Sequence, residues 1–163
     1  MNSCELPPPG EGAAASTRVT EKGSRLHRFR PGGDPAAAHA WQGVPAQEYK
    51  PAADDHRGVL RALLVGGGSE KTSFEVRYFE IAPGGFTTLE HHRHEHAVLV
   101  LRGRGEVRLG EGRHEVGYGD IVYVAAGEVH QLRNVGEEPF GFLCVVDRER
   151  DRPVAVRPEP PSP

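Results

Sequence analysis

The chain has 163 residues and a formal net charge of −3 at pH 7, a length that suits one domain with a single core. Its Lys and Arg residues are interspersed with Asp and Glu and do not line one stretch, which argues against nucleic acid as a partner. No apolar run approaches the roughly 20 residues that span a bilayer, and the start lacks the basic and apolar parts of a signal peptide, so we predict a cytoplasmic protein without membrane association.

The amino-acid composition favours short strands joined by turns. There are 14 prolines, 21 glycines and 7% aromatic residues, a balance atypical of helix bundles. The two cysteines, Cys4 and Cys144, form neither a disulfide framework nor a Cys-x-x-Cys pair. A reducing compartment therefore fits the sequence best.

The first 56 residues predict two segments outside the core. Residues 1–24 are rich in Pro, Gly, Ala, Ser and Thr and almost free of large apolar side chains, which predicts a disordered tail. Residues 25–56 carry scattered apolar side chains among Pro-Gly-Gly and Ala runs, a spacing typical of an extended arm that packs on the following domain or on a partner. Trp41 and Tyr49 are its predicted anchors, and local packing is favoured over a ligand-gating role for them.

Residues 57–147 change to short runs of β-favouring residues bounded by glycine. The predicted strands are 59–65, 74–81, 87–92, 96–102, 105–109, 120–124, 129–134 and 140–146. Glycine-containing turns at 83–85, 103–105, 110–112 and 117–119 supply the positive φ that tight hairpins need. Eight or nine strands in one small domain indicate an all-β sandwich or barrel. Residues 148–163 are predicted to be a Pro-rich C-terminal tail, because prolines preclude a continuous helix or a central strand.

Residues 90–96 hold four of the nine histidines, in the order Glu-His-His-Arg-His-Glu-His. A strand places residues two apart on one face, so Glu90, His92, His94 and His96 share a side, and the residues between them are expected to face solvent. Imidazole and carboxylate groups that converge inside a barrel either bind a metal or remain unpaired at a cost in stability. Metal binding is the simpler interpretation.

The spacing around these histidines resembles the first motif of the cupin superfamily. That motif is Gly, five residues, His-x-His, three or four residues, Glu, six residues and Gly. In this sequence Gly84 is followed at those spacings by Glu90, His92, His96 and Gly103. The histidine-rich stretch therefore occupies the ligand-bearing part of the motif.

A second stretch resembles the second cupin motif, which is Gly, five residues, Pro-x-Gly, two residues, His, three residues and Asn. Gly119 begins it, Ala-Ala-Gly at 125–127 fills the Pro-x-Gly slot, and His130 and Asn134 complete it. The resemblance covers about the central 90 residues. It implies a single-domain cupin jelly-roll β-barrel at 57–147 with an irregular N-terminal arm.

The resemblance also implies a permuted ligand set for one divalent transition metal. Glu90 occupies the slot usually held by His, and His96 the slot usually held by Glu, so the predicted ligands are Glu90, His92, His96 and His130. Mn or Fe is favoured, and Ni, Co, Cu and Zn also suit such donors. If Glu90 turns away, the three imidazoles remain a site of a kind found among cupin dioxygenases. His94 lies in the bend between slots, where capping the site, transferring a proton and facing solvent are all open.

Residues expected to line or border the barrel are candidates for the wall around a small-molecule substrate. They are Phe79, Phe86, Leu99, Tyr123 and Phe142, each of which is an ordinary core residue by default. Cys144 shares parity with Phe142 on the closing strand, and similarity to small cupins puts that face near the metal. Cys144 and His94 are therefore the candidate catalytic side chains, although an inert buried thiol is the more common state of such a cysteine.

Three functions are open for such a site. The leading hypothesis, implied by similarity to quercetinase-like cupins, is a dioxygenase-type oxidoreductase acting on a small chelating enol, diol or carboxylate. The second is a redox-neutral isomerase or lyase in which the ion polarises a carbonyl group. The third is a non-catalytic small-molecule-binding cupin. A homodimer is also predicted, because an open jelly roll leaves sheet edges that proteins cover or pair.

Overall fold

The computed structural model describes residues 18–19, 21–22, 24–34, 37–51, 53–68 and 70–156, and the chain forms strands and turns throughout these ranges. The strands are β1 (Arg18–Val19), β2 (Arg25–Leu26), β3 (Phe29–Arg30), β4 (Ala40–Trp41), β5 (Ala46–Glu48), β6 (Arg57–Val65), β7 (Phe74–Phe86), β8 (Glu90–His91), β9 (His96–Arg102), β10 (Arg104–Leu109), β11 (Gly112–Gly117), β12 (Ile121–Val124), β13 (His130–Asn134), β14 (Phe140–Asp147) and β15 (Val154–Ala155). Within the described ranges, no helix has the length and apolar character needed to cross a membrane. Most of the predicted tail at 1–24, with Cys4, and the end of the C-terminal tail from 157 onward lie outside the described residues.

One eleven-stranded antiparallel sheet forms the body of the molecule. Its main path runs in the order β11, β10, β13, β7, β14, β9 and β12, while β6 pairs with β7 and β8 pairs with β13. Buried residues from six of the seven strands on this path, all but β11, meet in one hydrophobic cluster, so the sheet curls around a single core. The all-β prediction is confirmed.

The closing strand β14 illustrates why these segments form strands. Phe140, Phe142, Cys144 and Val146 are buried, whereas Val145 between them is 38% exposed. A period of two is the spacing at which a strand buries one face and exposes the other. The core cluster comprises Val59, Phe79, Ile81, Val98, Val100, Val107, Val122, Val124, Leu132, Phe140, Phe142, Cys144 and Val146.

The predicted turn at 83–85 is wrong, because β7 continues through it to Phe86. Gly84 has a φ of 72°, and the register between β6 and β7 shifts between Arg57 and Val59. Such a shift marks a β-bulge, which bends a strand without ending it. The bulge allows one long strand to pair with β6 and β14 and then to reach β13, where Phe86 lies opposite Arg133.

Two further strand predictions differ from the structure. β11 is not among the predicted strands, because its charged and glycine-rich sequence resembles a loop, yet it pairs with β10 along its whole length. The predicted strand at 87–92 is reduced to β8. The backbone before β8 still contacts the sheet, since the Thr87 amide donates to the Leu132 carbonyl oxygen at 2.9 Å.

The N-terminal arm packs on its own barrel. β5 pairs with β6, and the ring centroid of Trp41 lies 4.7 Å from that of Tyr78. Further along the arm, the Tyr49 ring packs edge-on against Phe79 of the core at 5.5 Å. Trp41 and Tyr49 therefore both contact barrel residues. The homodimer stays a prediction.

The chain beyond the barrel returns across it. β15 pairs with β8, so that Ala155 lies opposite Glu90, and the Val156 amide donates to the Leu89 carbonyl oxygen at 2.8 Å. A two-residue strand at a sheet edge is compatible with the neighbouring prolines, because an edge strand tolerates missing backbone donors. The segment up to Val156 is therefore part of the folded domain.

We predict that Phe140→Ala destabilises the protein by about 3–5 kcal/mol, because the ring is fully buried and its removal leaves a cavity. Chemical denaturation followed by circular dichroism measures the free energy of unfolding. Val135→Ala is the control, since Val135 is 53% exposed and a surface truncation typically changes stability by at most about 0.5 kcal/mol. Equal losses in the two variants would contradict the place of Phe140 in the core.

Candidate metal centre

Four imidazoles and a carboxylate that is a ligand candidate line a single cavity inside the barrel. They belong to Glu90, His92, His94, His96 and His130, and all but the partly buried His96 are buried. The cavity has a volume of about 90 Å³. Since a water molecule occupies about 30 Å³ in the liquid, this space suits an ion with one or two small ligands.

Sheet register brings these side chains together from distant parts of the sequence. Glu90 begins β8 and lies directly opposite His130, the first residue of β13. His96 begins β9, which pairs with β12 and β14. His92 lies in the bend between β8 and β9, where its carbonyl oxygen accepts a hydrogen bond from the Gly127 amide at 2.7 Å. The β8–β13 pairing, the pairing of β9 with its two neighbours and the hydrogen bond from Gly127 thus fix the backbone that carries the ligand candidates.

Hydrogen bonds outside the cavity determine which nitrogen of two imidazoles carries the proton. Nδ1 of His92 lies 2.8 Å from the His94 carbonyl oxygen, and Nδ1 of His130 lies 2.9 Å from the Glu128 carbonyl oxygen. A carbonyl oxygen only accepts, so both Nδ1 atoms are protonated and both Nε2 atoms keep a lone pair. An imidazole in this tautomer is ready to bind a metal through Nε2.

The Nε2 atoms of His92 and His96 are buried without a hydrogen-bond partner. Burial, reinforced by the neighbouring imidazoles, lowers the pKa of His92 to about 4 and that of His96 to about 2. Burial also lowers the pKa of His130. These rings are therefore neutral at pH 7. Buried ring nitrogens without a hydrogen-bond partner are costly, and a divalent transition metal satisfies them, so the residues present fit such an ion.

Glu90 is held by two consecutive residues of the arm. The Tyr49 hydroxyl donates to Oε1 at 3.2 Å, and the Lys50 ammonium donates to Oε2 at 2.8 Å and to the Thr88 hydroxyl at 3.0 Å. Pairing with Lys50 offsets the cost of burying the Glu90 carboxylate, whose side chain is 7% exposed. Each oxygen retains a lone pair for a metal. Lys50 is absent from the predicted site, since only its neighbour Tyr49 carried a packing signal.

The possible donor atoms fall into two overlapping groups, within each of which they lie at most 4.8 Å apart. One group is Glu90, His92 and His130, and the other is His92, His94 and His96. The four predicted ligands thus share one cavity, but His96 is grouped with His94. Because His92 belongs to both groups, either arrangement depends on it.

His94 is oriented by an aspartate that the sequence does not single out. Its Nδ1 lies 2.8 Å from Oδ1 of Asp151, whose other oxygen accepts the Arg93 amide at 2.9 Å. Its ring stacks on that of His92 with centroids 3.5 Å apart and planes within 5°. Asp151 comes from the predicted C-terminal tail, and it lines the same cavity. His94 is therefore the cavity imidazole whose Nδ1 is held by a carboxylate.

Cys144 lies in the cavity wall between a candidate ligand and a buried arginine. Its Sγ is 3.3 Å from Nδ1 of His96 and 3.8 Å from Nη2 of Arg77. Burial raises the pKa of the Cys144 thiol, and the positive charge of Arg77 opposes that shift. The thiol is thus neutral at pH 7 and does not compensate the charge of Arg77.

Two of the predicted wall residues, Phe79 and Phe142, line the cavity with their rings stacked at a centroid distance of 5.5 Å. Leu99 and Tyr123 do not. They occupy outward positions of β9 and β12, and Tyr123 is 59% exposed with its hydroxyl donating to Glu95. Their assignment to the pocket is wrong, because strand alternation puts them on the face opposite to the core.

Phe86 also lies away from the cavity. It follows the bulge in β7 and contacts the guanidinium groups of Arg57 and Arg133, at 5.7 Å and 5.8 Å from its ring centroid. Its assignment to the pocket is wrong as well, since the bulge changes the parity of the residues that follow it.

Comparisons with known proteins agree with this geometry. A family model described as Cupin domain (Cupin_2) matches residues 77–146. A curated relative from Rhodospirillum rubrum, named 1-methylthio-D-xylulose 5-phosphate methylsulfurylase, is 40% identical over 116 residues, which cover 71% of this chain and 73% of the relative.

Solved structures show the same resemblance. A cupin 2 conserved barrel domain protein from Rhodopseudomonas palustris is 39% identical with a TM-score of 0.69, covering 80% of this chain and 85% of that one. The polyketide cyclase RemF from Streptomyces resistomycificus is 25% identical with a TM-score of 0.65, covering 72% of this chain and 82% of that one. The similarity therefore extends beyond the two short motifs to most of the barrel.

We predict that His92→Ala lowers the affinity for divalent metal by more than about 100-fold, because both donor groups include His92. Substitution of a residue that only hydrogen-bonds to a metal ligand typically lowers metal affinity about 10–100-fold, so loss of a ligand itself is expected to cost more. Elemental analysis of the purified protein and titration with Mn²⁺ measure the effect. His91→Ala is the matched control, since His91 is adjacent to His92 in sequence but does not line the cavity. A variant lacking His92 that retains full metal content excludes this site.

Glu90→Ala tests the carboxylate separately. We expect a clear loss of bound metal, because the change removes an anionic donor and leaves Lys50 as an unpaired cation beside the ion. Glu95→Ala removes an outward-facing carboxylate and serves as the control, with metal content expected to be unchanged. Unchanged metal content in Glu90→Ala would show that Glu90 is not a ligand and that imidazoles alone hold the metal.

Proposed function

This chain belongs to the cupin family, and on that basis we propose that it is a metal-dependent enzyme acting on a small phosphorylated hydroxyketone. In the proposal, Nε2 atoms of His92, His96 and His130 hold the ion together with Glu90. The observation that carries it is the presence of buried, unpartnered Nε2 atoms of His92 and His96 in a cavity with room for a ligand.

When bound in this cavity, a divalent ion would supply Lewis acidity, which would polarise a carbonyl oxygen and acidify the carbon beside it. Three neutral imidazoles contribute no charge and Glu90 contributes one negative charge, so the ligands compensate only half of the charge of such an ion. Phe79 and Phe142 keep water from part of the wall, which strengthens electrostatic attraction inside. The site thus favours oxygen chelators such as a ketone with a neighbouring hydroxyl group.

The substrate class is taken from the R. rubrum relative, whose name refers to a 1-methylthio ketose phosphate. In a 1-substituted 2-ketose the substituent lies on the carbon beside the carbonyl group, where polarisation makes a proton labile. The reaction assigned to this chain begins there with proton transfer. Because the cavity measures about 90 Å³, it holds only part of such a molecule in this conformation.

His94 is the proposed proton acceptor. The carbon–hydrogen bond beside the carbonyl breaks, its electron pair moves toward the carbonyl oxygen, and the proton passes to Nε2 of His94. Asp151 holds Nδ1 of this ring at 2.8 Å and thereby orients Nε2. Cys144, the other candidate catalytic side chain, contacts Arg77 and His96 and acts in this proposal by positioning them.

A dioxygenase-type oxidoreductase is the second candidate function. The observation that favours it is the donor set itself, since imidazoles with one carboxylate suit Fe and Mn and leave positions for a substrate beside O₂. The two candidates differ in whether oxygen is consumed and in whether a redox-inert ion suffices.

We predict that the Zn²⁺-loaded protein converts 1-methylthio-D-xylulose 5-phosphate under argon as fast as in air. Mass spectrometry of reactions in D₂O, which detects deuterium taken up at the carbon beside the carbonyl group, and an oxygen electrode measure conversion and oxygen uptake. Protein stripped of metal with a chelator is the control. It is expected to lose at least 90% of the rate, because the Lewis acid is gone. A tenfold loss of rate corresponds to an increase of only about 1.4 kcal/mol in the activation barrier. Turnover that needs Fe or Mn and consumes oxygen favours the dioxygenase, and ligand recovered unaltered favours a binding protein.

A further inference from the structure

Arg77 is the one buried arginine among the described residues, with 8% of its surface exposed. It lies on the inward face of β7, opposite Cys144 of β14, and it lines the cavity with the candidate ligands. An arginine inside a barrel remains charged, because its pKa is far above neutrality even where burial lowers it. A charge in this position needs a partner.

The surrounding side chains compensate the Arg77 guanidinium group only in part. Nε of Arg77 has no hydrogen-bond acceptor, and the nearby Glu75 carboxylate oxygen lies 3.9 Å away. Nη2 has only the long contact of 3.8 Å with the sulfur of Cys144. Nε and Nη2 form one edge of the guanidinium group, the edge that binds an oxyanion through two parallel hydrogen bonds. This edge is open.

The charges around Arg77 are also unbalanced. Arg150 contacts the same carboxylate of Glu75 at 2.9 Å, so two guanidinium groups share one negative charge. Arg150 lines the cavity as well. This end of the cavity therefore carries net positive charge in the absence of a ligand.

We propose that Arg77, assisted by Arg150, binds the anionic group of the substrate, a phosphate or a carboxylate, beside the metal centre. The inference rests on the proposed function, because it assumes that the other end of the same molecule reaches the ion. The distance fits a small molecule: Arg77 contacts Cys144, and Cys144 contacts the candidate ligand His96 at 3.3 Å. A phosphate and a carboxylate each present two oxygens that can accept the two parallel hydrogen bonds from this edge of the guanidinium group.

The test uses the full-length protein loaded with Mn²⁺ and the probes inorganic phosphate and formate. Bound Mn²⁺ accelerates the ³¹P relaxation of phosphate and the ¹³C relaxation of labelled formate steeply at short distance, so the measurement reports both affinity and proximity to the ion. We expect the wild-type protein to enhance relaxation of at least one probe. Arg77→Met is expected to weaken that binding at least tenfold, and Arg77→Lys to weaken it less, because lysine keeps the charge but loses the fork.

Arg133→Met is the matched control, since Arg133 is exposed beside Phe86 on the outside of the barrel, and its probe affinity is expected to equal that of the wild type. Phosphate binding lost on substitution of Arg77 assigns the site to a phosphate, and formate binding lost in the same way assigns it to a carboxylate. Absence of both probes from the wild-type protein, or full affinity in both Arg77 variants, overturns the proposal.

Metal content separates this inference from the proposed function. If the wild-type protein holds no Mn²⁺, the metal-dependent function fails, and calorimetric titration of phosphate and formate into the metal-free protein still tests Arg77. If Mn²⁺ binds and neither probe does, the anion site fails and the metal centre stands. Should Arg77→Met not fold, as circular dichroism would show, Arg77→Lys decides the outcome.

Discussion

The pairing of Glu90 with His130 across β8 and β13 is the constraint on which the site depends. It joins the two motifs through residues that lie 40 positions apart in the sequence, and it does so through backbone hydrogen bonds that do not require a ligand. Shifting this register by one residue would turn the side chains of one strand to the opposite face. β13 and β15 both pair with β8, so the ligand candidates are arranged by the sheet before any ion binds.

The barrel interior is divided between two kinds of chemistry. Around Phe140, Ile81 and Val107 it is an ordinary apolar core with side chains at most 1% exposed. Around the histidines it holds polar groups whose hydrogen bonds are incomplete, at His92, His96 and Arg77. Such unsatisfied groups are rare in folded proteins, and their concentration in one cavity marks the place where stability is lost in favour of ligand binding.

The sequence predicted the parts of the site that follow from spacing and strand alternation. The motifs identified Glu90, His92, His96 and His130 as neighbours, and the parity of β14 together with the resemblance to small cupins predicted Phe142 and Cys144 on the cavity side. The same parity applied to β9 assigns Leu99 to the face opposite His96, so that error was avoidable. Lys50 and Asp151 lie in segments without periodicity, and their contacts arise only from long-range packing. The face of β7 on which Arg77 lies could be assigned only once the inward side of that strand was known. A charged residue is not the expected occupant of an inward face.

Both Lys50 and Asp151 lie outside the strands that close the barrel, one in the arm and one in the returning C-terminal segment. The strands that carry the ligand candidates and the segments that meet these candidates from outside are thus separate stretches of the chain. Substitutions in the arm or in the returning segment change the surroundings of Glu90 and His94 without altering a core strand. A fold divided in this way lets the surroundings of the ligand candidates change in sequence at little cost to the folding of the barrel.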